Sequence, residues 1–120
     1  MKKVLLIFSA ILFFSCGKSD ELSPVITVTS PTENQVFSGG QTVSVNATIT
    51  DNEGIHTVHI SVIDNSTGGH LVHLEEHFDG KTYNLNKTFP VQTGRSYHIE
   101  IGAHDHANNT TTKELTVSAN

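Results

Sequence analysis

Apolar and polar residues alternate along most of the chain after Pro24, which predicts β-strands throughout. Every second residue is apolar between Val43 and Ile49, and again around Val58 and Ile60, which is the spacing of strands with one buried face. No stretch has the period of an amphipathic helix. The predicted strands are Val25–Thr29, Val43–Ile49, Ile55–Asp64, His70–Phe78, Thr82–Phe89, a sixth that carries Tyr97, Ile99, Ile101 and Ala103, and Thr110–Val117.

Turn-forming residues separate these strands. Asp51–Gly54, Asn65–Gly69 and Pro90–Gly94 are predicted turns, and Asp79-Gly80 is typical of a two-residue hairpin, since type I′ turns need positive φ. The regular spacing of strands and turns over residues 24–120 predicts an all-β fold, an immunoglobulin-like β-sandwich of about seven antiparallel strands. The predicted core consists of Val43, Val45, Val58, Ile60, Val62, Leu85, Ile99 and Ile101.

The first fifteen residues predict a cleaved signal peptide. Lys2 and Lys3 precede an apolar run from Val4 to Phe14. That run is too short to cross a hydrocarbon core of ~30 Å, so the segment is predicted to be a targeting signal rather than a transmembrane helix.

The end of this segment, Phe13-Phe14-Ser15-Cys16-Gly17, resembles a bacterial lipobox. The resemblance implies cleavage before Cys16 and lipidation of that residue, so residues 1–15 would be the lipoprotein signal peptide and residues 16–23 a polar tether. Gly17–Glu21 is similar to the signal that sends some Gram-negative lipoproteins to the outer surface. We expect an outer-membrane lipoprotein at the cell surface, held to the membrane by its lipid, with the periplasm-facing side as the alternative.

Composition excludes several functional classes. The chain has 120 residues, which fits one domain. Its formal charge of −5 argues against nucleic acid as a partner. The one Cys excludes an intrachain disulfide and a Cys-rich zinc site. The eight His residues are the unusual feature and the starting point for any site prediction.

Short motifs carry a family resemblance. Several of them look like those of bacterial immunoglobulin-like modules. They are Pro24-Val25-Ile26, Ser30-Pro31, Gly39-Gly40, Asp51–Ile55 and Asp105–Asn109. With the lipobox, the His-rich middle and Tyr97-His98, the chain is similar to a family of lipoproteins with an uncharacterised domain, domain of unknown function 4625. The resemblance supports the fold and the location, and it implies no established activity.

Strand alternation predicts where the His residues point. His59 and His98 would lie on the outer face of neighbouring strands, and His104 would also point outward, because the flanking apolar residues face the core. His73 and His77 would share one face of the fourth strand with Glu75. Pairing of that strand with the third would bring them beside His59, whereas pairing with the fifth would separate them.

The connections after the second, fourth and sixth strands emerge at one end of such a sandwich. We expect His56, His77, His104 and His106 at this end, where imidazoles can bind zinc or copper at ~2.0–2.1 Å. The full set of candidate metal ligands is His56, His59, His73, His77, His98, His104 and His106. Calcium is the alternative ion, with oxygens from Asp51, Glu53, Asp79, Asp105 and Asn108.

Catalysis is not predicted, because the only Cys is expected to be acylated and no Ser lies in a nucleophile-elbow motif. The sequence therefore predicts a lipid-anchored binding protein for a divalent transition metal. The alternative is a metal-free structural or adhesive module that contacts a partner protein or a glycan.

Overall fold

The computed structural model describes residues 20–120, which fold into one curled β-sheet. The order of the strands in the sheet is β1-β3-β5-β6-β2, and β4 pairs with β3. The predicted all-β class is confirmed. Within the described residues, no helix is long and apolar enough to cross a membrane. The six strands are β1 Val25–Ser30, β2 Val36–Phe37, β3 Thr42–Asp64, β4 His70–Pro90, β5 Ser96–Asp105 and β6 Thr110–Ala119.

Strands β3 and β4 form a long hairpin that runs through both halves of the curled sheet. The first half of β3 also pairs with β1 and its second half also pairs with β5. The register between β3 and β4 shifts between Thr50 and Ile55. Residues 51–54 therefore form a bulge within β3 and not the predicted turn, and Gly54 adopts a φ of 133° there.

The predicted hairpin turn at Asp79-Gly80 is wrong. Both residues lie inside β4, and Gly80 pairs with Ile55 of β3. The bulge in β3 bends both strands together, so the chain changes direction without breaking the pairing. The second and third predicted strands are thus one strand, and so are the fourth and fifth. The fourth predicted strand therefore pairs with the third. This is the alternative that brings His73 and His77 near His59.

Strand alternation correctly predicts which side chains are buried. All eight predicted core residues are at most 4% exposed and belong to one apolar cluster. Val72 and Leu74 pack against that cluster, as expected, with partial burial. The short strand β2 was not predicted, and it pairs in parallel with β6, so the sheet is not entirely antiparallel.

At the turn that joins β3 to β4, Arg95 forms an ion pair with the buried carboxylate of Asp64. The hydrogen bond from Arg95 holds the pKa of Asp64 below its ordinary value, although burial alone would raise it. Backbone N–H groups of the turn at Ser66 and Thr67 lower this pKa further. Asp64 therefore stabilises the fold in its charged form.

Replacing Arg95 by Gln is expected to lower stability at neutral pH and to leave stability in strong acid unchanged. A depressed carboxyl pKa contributes stability above the unfolded-state pKa, and this contribution is lost as the pH falls through the folded-state value. Urea unfolding at a series of pH values measures this difference. The control Lys113→Gln removes the same charge from an exposed site, and an equal effect of both variants would contradict the assignment.

Candidate metal centre

Three segments meet at one end of the domain because of the pairing around Ile55. This residue lies opposite Gly80 of β4 on one side and opposite Asp105 of β5 on the other. The bulge at residues 51–54, the bend of β4 and the turn after β5 are therefore neighbours. Side chains close in sequence to Ile55, Gly80 and Asp105 therefore come together at this end.

Three His side chains gather around His56, the first residue after Ile55 in β3. The centre of its ring lies 4.2 Å from that of His77, 4.7 Å from that of His106 and 6.3 Å from that of His104. Thr57 pairs with both His77 and His104. These imidazoles of β4 and β5 therefore lie at the same level of the sheet, on either side of β3. The structure thus brings together the four His residues that were expected at this end.

His56 is the most enclosed member of this cluster. Among the described residues, its Nδ1 is buried and has no hydrogen-bond partner. Burial lowers the pKa of His56, and the imidazoles of His77, His106 and His104 lower it further, against an opposing effect of Asp79. The resulting neutral imidazole is the form that binds metal ions.

Asp79 contributes a carboxylate beside the His cluster. Its Oδ1 lies 3.5 Å from Nε2 of His106, and its side chain is 91% exposed. A carboxylate beside an imidazole orients the ring and raises its basicity as a ligand. In this arrangement Asp79 lies beside a candidate His ligand, which differs from the calcium-ligand role that the sequence suggested for it.

A second group at the same end consists of carboxylates. One oxygen from each of Asp20, Asp51 and Asp105 lies within 4.8 Å of the others. Asp51 and Asp105 were candidate calcium ligands, whereas Asp20 was assigned only to the tether. Glu53 and Asn108 are exposed and do not belong to this group.

The turn after β5 holds Asp105 in place. Its Oδ1 accepts hydrogen bonds from the N–H groups of Ala107 and Asn109, and its Oδ2 accepts one from the side chain of Asn109. Burial raises the pKa of Asp105, but these bonds outweigh burial and the pKa lies below its ordinary value. Asn108 adopts a φ of 65°, a left-handed conformation that Asn tolerates better than most residues do.

The remaining candidate His residues lie on the outer face of the sheet, away from the end cluster. His59 pairs with Gly102, whereas His98 pairs with Ile63, so four residues of β5 separate their positions. His59 Nε2 lies 3.1 Å from Glu100, and His98 Nε2 lies 3.8 Å from Glu114. His98, Glu100 and Glu114 offer ligand atoms within 4.8 Å of one another, so Glu100 and Glu114 were missed by the sequence analysis.

His73 lies near His59, as pairing with the third predicted strand required, but it is not directly opposite His59. It pairs with Ser61, and its ring lies 5.3 Å from that of His70. His70 Nδ1 is in turn 3.1 Å from the Ser61 hydroxyl. His59 pairs with Glu75, so His73 and His77 are diagonal neighbours of His59 across β3 and β4. Of His59, His73 and His77, only His77 belongs to the end cluster.

Comparison with known proteins supports the fold. The family model of the bacterial Ig domain matches residues 24–119. Among solved structures, the chain is similar to one in the complex of zinc 2-glycoprotein and prolactin inducible protein from human seminal plasma, with a TM-score of 0.56 and 6% identity over 86% of this chain and 100% of that chain. At this identity the likeness concerns the fold alone. No curated protein matches the sequence. The predicted resemblance to bacterial immunoglobulin-like modules is confirmed, and the narrower lipoprotein family stays a prediction.

Proposed function

Because the chain belongs to the bacterial Ig domain family, we propose that it is a lipid-anchored envelope module that binds zinc or copper through His56, His77, His104 and His106. The observation that carries the proposal is the convergence of three imidazoles on His56. The family match supports a binding domain. The ion is proposed from the chemistry of the side chains.

The spacing of the rings fits the size of a metal ion. Four imidazoles around a tetrahedral zinc ion at ~2.0–2.1 Å have ring centres roughly 5 Å apart. The distances from His56 to its three neighbours, between 4.2 and 6.3 Å, fall on both sides of this value. No three of these rings have their ligand nitrogens within 4.8 Å of one another, so metal binding would require the three exposed side chains to change rotamer.

The surroundings of His56 also favour a metal over a hydrogen-bond network. Its buried Nδ1 has no partner among residues 20–120, although buried polar atoms normally have one. Neutral imidazole nitrogens suit zinc and copper, whereas calcium and magnesium prefer oxygen. Asp79 beside His106 supplies the outer carboxylate that commonly accompanies a ligating His.

Zinc titration of the full chain tests this proposal. A Cys16→Ser background removes the only thiol, so that zinc cannot bind through a thiolate. At about pH 7.5 we expect one zinc ion per chain and a higher Tm, since a ligand at 100 times its Kd stabilises by about 2.7 kcal/mol. Near pH 5.5 we expect weaker binding, because protons compete with the metal ion for the imidazole nitrogens.

Two double variants locate the zinc site. His104→Gln with His106→Gln is expected to remove most of the Tm increase, because two of four ligands are lost. His59→Gln with His98→Gln is the matched control on the outer face, and it is expected to keep the increase. The reverse pattern would assign the ion to His98, Glu100 and Glu114. The absence of zinc and copper binding at millimolar concentrations would favour the metal-free structural or adhesive module instead.

A further inference from the structure

The carboxylates of Asp20, Asp51 and Asp105 form a site distinct from the His cluster. Asp51 lies in the bulge of β3, Asp105 is the last residue of β5, and Asp20 belongs to the segment that precedes β1. We propose that they bind one calcium ion, which fastens the segment before β1 to the end of the domain. This site needs no His residue, so it stands independently of the proposed zinc site.

The separation of the oxygens suits a calcium ion. Calcium binds carboxylate oxygens at about 2.3–2.6 Å, so two oxygens on opposite sides of the ion lie roughly 5 Å apart. The three carboxylates offer oxygens within 4.8 Å of one another. An ion between them would take one oxygen from each Asp, and its remaining positions would be open to water and to further oxygens.

Two buried carboxylate oxygens in this group have no hydrogen-bond donor among the described residues. They are Oδ1 of Asp51 and Oδ2 of Asp20. Asp51 is only 7% exposed, and its other oxygen accepts hydrogen bonds of 3.0 and 2.8 Å from the N–H groups of Glu53 and Gly54. The bulge thus fixes the Asp51 carboxylate and leaves one of its buried oxygens unsatisfied.

The charge of the group also requires compensation. Asp105 is 2% exposed, and the described ion pairs include none between these three Asp residues and a Lys or Arg. Buried carboxylates are ordinarily paired, protonated or bound to a metal. The three charged carboxylates, with oxygens within 4.8 Å of one another, repel one another unless a cation or a shared proton lies between them. A divalent cation removes this repulsion and supplies the missing partner for both unsatisfied oxygens.

Asn109 shows how the ion would act on the segment before β1. Its side-chain amide donates to the backbone carbonyls of Asp20 and Leu22 as well as to the Asp105 carboxylate. The Thr111 hydroxyl donates to the carbonyl of Pro24. The segment is therefore already seated against the turn after β5. Calcium would add a bond at Asp20, the residue of the group that lies farthest from the strands along the chain.

Calcium titration of the chelator-treated full chain tests the inference. Extracellular calcium modules bind with Kd values of about 10⁻⁴–10⁻³ M, so the titration extends to about 10 mM. We expect calcium to raise the Tm and to slow tryptic cleavage after Lys18, two residues before Asp20. Magnesium is expected to bind less tightly, because it demands a stricter octahedral arrangement. The variant His104→Gln with His106→Gln should respond to calcium like the unmodified chain.

Asp20→Asn is the decisive variant, because Asp20 lies outside the strands and its replacement is expected to leave the sheet intact. We expect at least a tenfold loss of calcium affinity and loss of the protection after Lys18. Asp79→Asn removes the same charge at the same end, outside the carboxylate group, and should change neither measurement. No calcium response, or equal losses in both variants, would overturn the inference.

Discussion

Val45→Asp is expected to unfold the domain. Val45 is fully buried in β3, where it packs in the single apolar cluster, and the described part of that cluster offers no cation to a new carboxylate. An unpaired buried charge costs several kcal/mol, and a domain of this size has only about 5–15 kcal/mol of stability. Loss of the β-type circular dichroism spectrum and of the cooperative thermal transition would show this. Ile60→Asp, in the other half of β3, should have the same result.

Ser44→Asp is the matched control for this prediction. Ser44 precedes Val45 in the same strand but is exposed, so the same carboxylate stays in water. We expect a change of no more than about 0.5 kcal/mol, as for most surface substitutions. Native-like thermal transitions for both Val45→Asp and Ile60→Asp would contradict the packing described for the core.

Cys16→Ser is expected to release the protein from the membrane fraction or to block its maturation. Cys16 and the preceding apolar segment lie outside the described residues, so the lipid anchor remains a proposal based on the lipobox. Each buried CH₂ of an acyl chain contributes about 0.8 kcal/mol to membrane binding, and the acidic chain adds no electrostatic attraction. Fractionation of cells and detection of the processed chain measure both outcomes.

Ser15→Ala provides the control for this experiment. It keeps a small residue before Cys16, as the lipobox resemblance requires, and should leave processing and membrane binding unchanged. Normal maturation and full membrane retention of Cys16→Ser would mean that the chain is not held by a lipid on this residue. The domain fold and both proposed metal sites would be unaffected by that result.

Residue alternation predicted the buried face of each strand because it reflects a local property of β-structure. Val58 and Ile60 point into the core, and His59 between them does not, as period two requires. The Asp79-Gly80 prediction failed because turn preference is also local, whereas the pairing of Gly80 with Ile55 depends on the bulge at residues 51–54 in the other strand. The residues around Asp79 carry no information about a bulge in the partner strand.

For the candidate sites, the sequence likewise predicted which end of the domain carries them but not the distances between their side chains. The topology of the predicted sandwich placed His56, His77 and the two His residues after Ala103 at one end, but their distances depend on the register around Thr57. The role of Asp20 was missed because the residue precedes the first strand, where no alternation gives its position. Its contacts with Asn52 and Asn109 join parts of the chain far apart in sequence.

The parallel pairing of β2 with β6 has a mechanical consequence. Hydrogen bonds join Asn34, Gln35 and Phe37 to the last residues of the domain, from Thr116 to Asn120. A pull applied before β1 and after β6 draws these two strands past each other, so it loads their hydrogen bonds in shear and at the same time, rather than one after another. Tension between a membrane and a partner held beyond β6 would therefore load this short pair, on the opposite edge of the sheet from β1, as well as the pairing of β1 with β3.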